Sequence, residues 1–245
     1  MSSPVSGRSA LLTARLRLYR TATLAAALIG FTRAAAAQGG TGRLEGVATI
    51  ASVLKARHSR IRLYDDPATP PPRPADDNAI AGVVIALDGN DALQRTAGPA
   101  PQLSPVMRQR DQTFVPHVLP IVVGTTVEFP NDDPLFHDVF SLSAVKTFDL
   151  ERYPRGESRQ VTFSRSGVVQ VFCHIHADMS GYIVVLNNPF FVIPDSSGHF
   201  ALNGIPAGDY RLTAWQERAH LVTVHVHVEA GRTSHADVRI PIVMP

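Results

Sequence analysis

Beyond residue 38 the apolar positions alternate with polar ones over short stretches, and no stretch sustains the 3.6-residue period of a long amphipathic helix. Apolar runs of strand length are predicted over Leu44–Val53, Ala79–Leu87, Thr113–Val123, Thr125–Phe129, Asp138–Leu142, Arg159–Ser164, Gly167–Phe172 and Tyr182–Leu186. Pro67–Pro74 is proline-rich and extended. Asp88–Gln112 is of mixed polarity and reads as a surface loop, longer than compact domains usually carry without an element of its own. No tandem repeat is visible.

Near Pro189 the rhythm changes. Phe190–Ile193 is a brief apolar run, Asp195-Ser-Ser-Gly198 signals a tight turn, and extended segments follow at Phe200–Leu202 and Tyr210–Trp215. Leu221–Val228 alternates cleanly, and Ala230-Gly231 turns into a last strand near Ala236–Val243. A tail of this size buries too little surface to stand alone. It is expected to pack on what precedes it as a small antiparallel β-sandwich module over 189–245.

Composition agrees with a strand-and-turn protein: of 245 residues 19 are proline and 17 glycine, and only 18% are charged. The N-terminus stands apart. Arg8, Arg15, Arg17 and Arg20 precede an apolar run over residues 21–32, and the small residues Ala34–Ala37 follow. That order is the pattern of a cleaved export signal over 1–37, and the run is short for a bilayer span. No cysteine marks a lipoprotein site, and no Arg-Arg pair marks the twin-arginine route. The segment holds five of the 23 basic side chains and none of the 21 acidic ones, so the remainder carries a formal charge of −3. Basicity therefore belongs to the targeting peptide, and a nucleic-acid partner has no support. The mature chain is expected in the periplasm or outside the cell, without a membrane span.

One cysteine, Cys173, cannot form an internal disulfide in an exported chain. It stands in Val169-Gln-Val-Phe-Cys-His-Ile-His-Ala-Asp-Met-Ser-Gly-Tyr182, where an apolar strand delivers it and the next strand leaves at Tyr182. Cys173, His176 and Met179 are thus displayed on one short loop. Thiolate, imidazole and thioether together suit a copper ion that cycles between Cu(I) and Cu(II). A second imidazole is supplied by His137, which follows the turn Pro130-Asn-Asp-Asp-Pro134 and opens the next apolar segment. His174 is the competing ligand, but adjacent residues at a strand end point to opposite sides, which favours His176. Zinc is the competing metal, although methionine is a poor zinc ligand.

These two segments resemble the cupredoxin (type 1 copper) family, and the Cys-x-x-His-x-x-Met spacing is most similar to its amicyanin branch. Gly124-Thr-Thr-Val-Glu-Phe-Pro-Asn131 also resembles the family's strand before the first histidine. The resemblance spans roughly 115–186 and implies a Greek-key β-sandwich over 42–188, with its ligand-bearing core at 113–188. It implies one copper held by His137, Cys173 and His176, with Met179 as axial ligand. Relatives commonly place asparagine after the first histidine, where this chain has Asp138. An acid beside the copper is expected to favour Cu(II) and lower the potential. The segment Phe200–Trp215, with Ile205-Pro-Ala-Gly-Asp-Tyr210, is similar to the carboxypeptidase-regulatory, transthyretin-like β module, which implies no catalysis.

The remaining histidines read more plainly. His225 and His227 share a solvated strand face, His117 has a structural role, and His58, His199, His220 and His235 carry no recognisable chemistry. Trp215 reads as core packing. The expected fold class is all-β, and the expected function is single-electron transfer to a redox protein partner, with no catalytic residues. Two alternatives remain: a copper-delivery protein using the same ligands, and a β-sandwich module binding carbohydrate or protein.

Overall fold

Strand alternation organises nearly everything in the computed structural model, which describes residues 40–53, 79–89, 93 and 105–243. The expected export segment, the proline-rich stretch and most of the expected long loop lie outside the described residues.

The chain begins with β1 (Thr41–Val53), a 3-10 turn at Ala79–Gly82 and β2 (Val84–Asp88). The middle stretch contributes β3 (Arg108–Arg110), β4 (Thr113–Val115), β5 (Val118–Val122), β6 (Thr125–Pro130), β7 (His137–Ser143), β8 (Lys146–Tyr153), β9 (Ser158–Phe163), β10 (Gly167–Cys173) and β11 (Ser180–Leu186). The last stretch adds β12 (Phe191–Val192), β13 (His199–Pro206), β14 (Gly208–Trp215), β15 (Val222–Val228), β16 (Thr233–His235) and β17 (Val238–Val243). The fold is all-β, as the sequence pattern predicts. Among the described residues no helix is long and apolar enough to cross a membrane.

Two sandwiches result. The first has a five-stranded sheet in the order β5-β11-β10-β7-β8. Facing it are the β6-β9 pair and the β3-β4 hairpin, which bridges to β6's end through Gln109 and Asn131. Alternate residues of both layers point inward, so Val127, Phe129, Val161, Phe163, Val139, Val169, Val171 and Ile183 form one buried core. Cys173 and Met179 belong to the same core.

The second sandwich differs from the sequence expectation for 42–188. β1 pairs antiparallel with β13 and parallel with β16 and β17, while β2 lies between β12 and β14. Segments 41–53 and 84–88 therefore complete the module assigned to 189–245, and the boundary at residue 189 does not separate the strand pairings. The reason is packing: Leu44 and Ala48 of β1 and Ile85 and Leu87 of β2 are buried with Leu202, Ile205, Leu212 and Val228. Each such leucine, isoleucine or valine contributes about 1.5–3 kcal/mol when buried. Gly46 makes the central position of β1 possible, because a Cβ there would overlap the Ala236 carbonyl oxygen.

The two cores are joined by a smaller cluster, in which Val84, Val118 and Val184 are buried against Tyr182, Leu186 and Trp215. The Trp215 ring is tilted at 58° to Tyr182, with ring centroids 5.3 Å apart. Four local expectations also change. Ala79–Leu87 is a turn followed by a strand. Thr113–Val123 is split into β4 and β5 around Pro116, which has no N–H to give a ladder. β8 was not predicted, and β3 occupies part of the expected loop.

Candidate metal centre

The site lies where strands β7 and β10 end at one edge of the first sandwich. His137 is the first residue of β7 and Cys173 the last of β10, and the register sets Cys173 opposite Val139. The six-residue connection to β11 is closed on itself: the Met179 N–H donates to the His176 carbonyl at 3.0 Å, and the Cys173 N–H donates to the Met179 carbonyl at 3.2 Å. The His174 N–H donates to the Asp138 carbonyl at 3.0 Å, which ties the same loop to β7.

This backbone brings three donor atoms together. Cys173 Sγ lies 3.6 Å from His137 Nδ1 and 3.8 Å from His176 Nδ1, and all three atoms fall within 4.8 Å of one another. The two imidazole centroids are 4.8 Å apart. His137 is fully buried, Cys173 and Met179 are buried, and His176 is half-buried. Burial, and to a lesser degree the neighbouring His137, pushes the His176 pKa below its ordinary value, with Asp133 opposing. The neutral ring, with a free lone pair, is favoured there.

His174 lies elsewhere. Its ring stacks on Phe140 at 3.7 Å and its Nε2 is 3.9 Å from Asp149. Asp138, Asp149 and His174 form a second group whose donor atoms fall within 4.8 Å of one another, on the half-buried to exposed side of the strands. Burial and the adjacent Asp149 carboxylate raise the Asp138 carboxyl above its ordinary value, and its Oδ1 is buried without a hydrogen-bond partner. His225 and His227 are exposed on β15, with His227 bonded to Asp209 at 2.7 Å. His117 bonds to Glu217, away from the three donors.

Sequence reasoning missed Asp133. It is buried, and its Oδ2 accepts from His137 Nε2 at 2.8 Å. Its two oxygens also accept the backbone N–H groups of Asp111 at 2.6 Å and Gln112 at 2.9 Å. Asp111 and Gln112 form the two-residue turn between β3 and β4, both left-handed at φ 53° and 56°. Their successive amides make a concave anion seat. Burial pushes the Asp133 carboxyl up, but the Gln112 amide, the His137 ring and the Asp111 amide together hold it below the usual carboxylate range. Asn131 shapes the loop, accepting the Asp133 N–H and donating to the Leu135 and Tyr153 carbonyls. The signal in the sequence was the i, i+4 spacing of Asp133 and His137 across a turn.

Beneath the site, Tyr153 pairs with His137 across β7 and β8. Its hydroxyl donates to the Phe129 carbonyl at 2.9 Å and accepts from Gln109 at 2.5 Å. Burial raises its phenol pKa strongly. Around the mouth, Leu135, Phe136 and Ile175 are 43%, 48% and 42% exposed, and the Arg152 guanidinium sits 5.2 Å from the Phe136 ring centroid.

No family model matches the chain. No curated protein is similar to it. Among solved structures it is similar to a Cu-containing nitrite reductase from Thermus scotoductus, at 31% identity and a TM-score of 0.34, over 37% of this chain and 24% of that one. A purple cupredoxin from Nitrosopumilus maritimus matches at 23% identity and a TM-score of 0.32, over 34% of this chain and 100% of that one. Amicyanin from Paracoccus versutus matches at 22% identity and a TM-score of 0.33, over 35% and 84%. The chain spans about a quarter of the nitrite reductase.

Proposed function

We propose that this chain is an exported mononuclear copper protein of type 1 that transfers single electrons, with His137, Cys173, His176 and Met179 as ligands. One observation carries the reading: a buried thiol with one Nδ1 of each of two histidines at 3.6 and 3.8 Å. Two donors sharing one metal at bonds of about 2.0 Å to nitrogen and about 2.3 Å to sulfur stand roughly 3.5–3.8 Å apart. The donor set fits too. Two imidazoles and one thiolate with a weak thioether suit copper in both oxidation states. When bound, copper supplies the one-electron couple.

The protein's own residues supply the rest. His137 and Cys173 sit on strand ends in a packed core, which keeps their spacing the same before and after electron transfer. The loop is closed by its own backbone bonds. His176 alone among the three is half-exposed and offers its ring edge as the route for an electron. Leu135 and Phe136, just before His137, and Ile175, next to His176, are exposed apolar side chains that suit a short-lived contact with a redox protein.

Spectra of the purified protein, with residues 1–37 removed, test this. On adding Cu(II) an intense visible thiolate-to-copper band is expected, with the narrow copper hyperfine splitting of a type 1 centre in EPR. A colourless protein holding one zinc ion and refusing copper rejects it.

A further inference from the structure

We propose that Asp133 is the positioning residue of the metal centre: seated on the Asp111–Gln112 turn, it fixes which nitrogen of His137 is presented to the metal. The inference rests on the copper reading above for its consequence, but its structural core does not. His137 has two ring nitrogens, and only the one without hydrogen can bind a metal. Its Nε2 is 2.8 Å from a buried carboxylate oxygen, which can only accept. In the neutral ring Nε2 therefore carries the hydrogen, and the lone pair is left on Nδ1, the atom 3.6 Å from Cys173 Sγ.

The carboxylate is itself held. Three donors from two separate segments converge on its two oxygens: the Asp111 amide, the Gln112 amide and the His137 ring. The turn that supplies the amides has two non-glycine residues at positive φ, a conformation disfavoured for such residues. Asp133 gives that conformation a partner. The β3–β4 hairpin, far from the ligand loop in sequence, is thereby built into the support of one ligand. A carboxylate behind an imidazole also makes the ring a stronger donor, and removing such a partner typically weakens metal binding roughly 10- to 100-fold. The same negative charge favours Cu(II) over Cu(I).

The test begins with the metal-free wild-type protein. Nitrogen-15 NMR of the neutral His137 ring is expected to show a slowly exchanging hydrogen on Nε2 and none on Nδ1. A neutral ring with its hydrogen on Nδ1 overturns the proposal whether or not the protein binds copper. In Asp133→Asn the tautomers should mix, Cu(II) affinity should fall roughly 10- to 100-fold, and the midpoint potential should rise. Asp133→Glu, which keeps the charge, should recover a large part of both effects. An Asp133→Asn protein with wild-type tautomer, affinity and potential overturns the proposal. A wild-type protein with the Nε2–H tautomer that takes up no copper defeats the functional reading instead and leaves the positioning of His137 standing.

Discussion

His117 and Glu217 are hydrogen-bonded, Nε2 to Oε2 at 2.8 Å, between the segment that leads into β5 and the segment that follows β14. They come from different sandwiches. His117 Nδ1 also faces the Ser180 carbonyl at 3.1 Å, so both ring nitrogens meet acceptors. The ring lies edge-on to Tyr182 at 5.6 Å, and Tyr182 continues the contact to Trp215. The strand that follows the candidate metal loop, β11, is thereby braced against the second sandwich by a hydrogen bond as well as by the apolar cluster around Val184.

The bond from His117 holds the Glu217 carboxyl below its ordinary 4.5, with burial opposing. Its contribution is therefore present above pH 4.5 and lost as pH falls through the lower folded value. Because both side chains are partly exposed, Glu217→Gln should cost about 1 kcal/mol or less at neutral pH. Urea unfolding at neutral pH and at a pH well below the carboxylate range should show the difference shrinking on acidification. A difference that grows in acid contradicts the assignment.

Burial separates the two histidines proposed as ligands. His176 is half-buried, so His176→Gly should leave an opening that free imidazole can enter, restoring the visible copper band in part. His137 is fully buried behind Asp133, so His137→Gly should not recover with added imidazole. Titration of each copper-loaded variant with imidazole, followed by absorbance, measures this. Equal rescue of both places the solvent-facing edge elsewhere.

Tyr153→Phe removes a hydroxyl that is buried and hydrogen-bonded at both ends. Gln109, whose Oε1 is already unpartnered, would lose one acceptor for its amide. The amide keeps the Phe129 and Pro130 carbonyls at 3.2 and 3.3 Å, so the cost is that of a net hydrogen bond, about 0.5–1.5 kcal/mol. Thermal or denaturant unfolding of the metal-free protein reads it, with the wild-type and variant curves expected to share the same slope.

The clustering of Cys173, His176 and Met179 on one loop was legible because its information is local. Cys173, His176 and Met179 lie within seven residues, between two apolar runs that could only be strands. His137 was legible as the first residue after a proline-and-aspartate turn. Asp133 was hidden in that same turn, where an acid is ordinary turn chemistry; its role needs the β3–β4 hairpin, which only the fold brings near. The pairing of β1 with β13, β16 and β17 was out of reach for a similar reason, since alternation tells which face of a strand is apolar and not which strand covers it. β8 was missed although Phe148 and Leu150 alternate. Glu151 at φ 58° and the register shift opposite Asp138–Phe140 break the phase, and the bulge turns Tyr153 inward.

Asp138 is the sharpest case of a residue whose identity was legible and whose surroundings were not. The sequence places an acid next to a ligand; the fold adds Asp149 and His174 beside it. Burial first, and then Asp149, raise its carboxyl above 3.8, so the folded state penalises the charged form. That penalty is present above the folded value and absent below pH 3.8, where the carboxyl is protonated in both states. Asp138→Asn should therefore stabilise the protein at neutral pH, by less than about 1 kcal/mol given the exposure of its neighbours. The gain should fade as pH falls through the raised carboxyl value. Removing a negative charge one residue from His137 should also raise the copper midpoint potential. Voltammetry alongside unfolding at two pH values checks both parts: a potential that stays level or falls refutes the electrostatic one, and a variant less stable at neutral pH refutes the other.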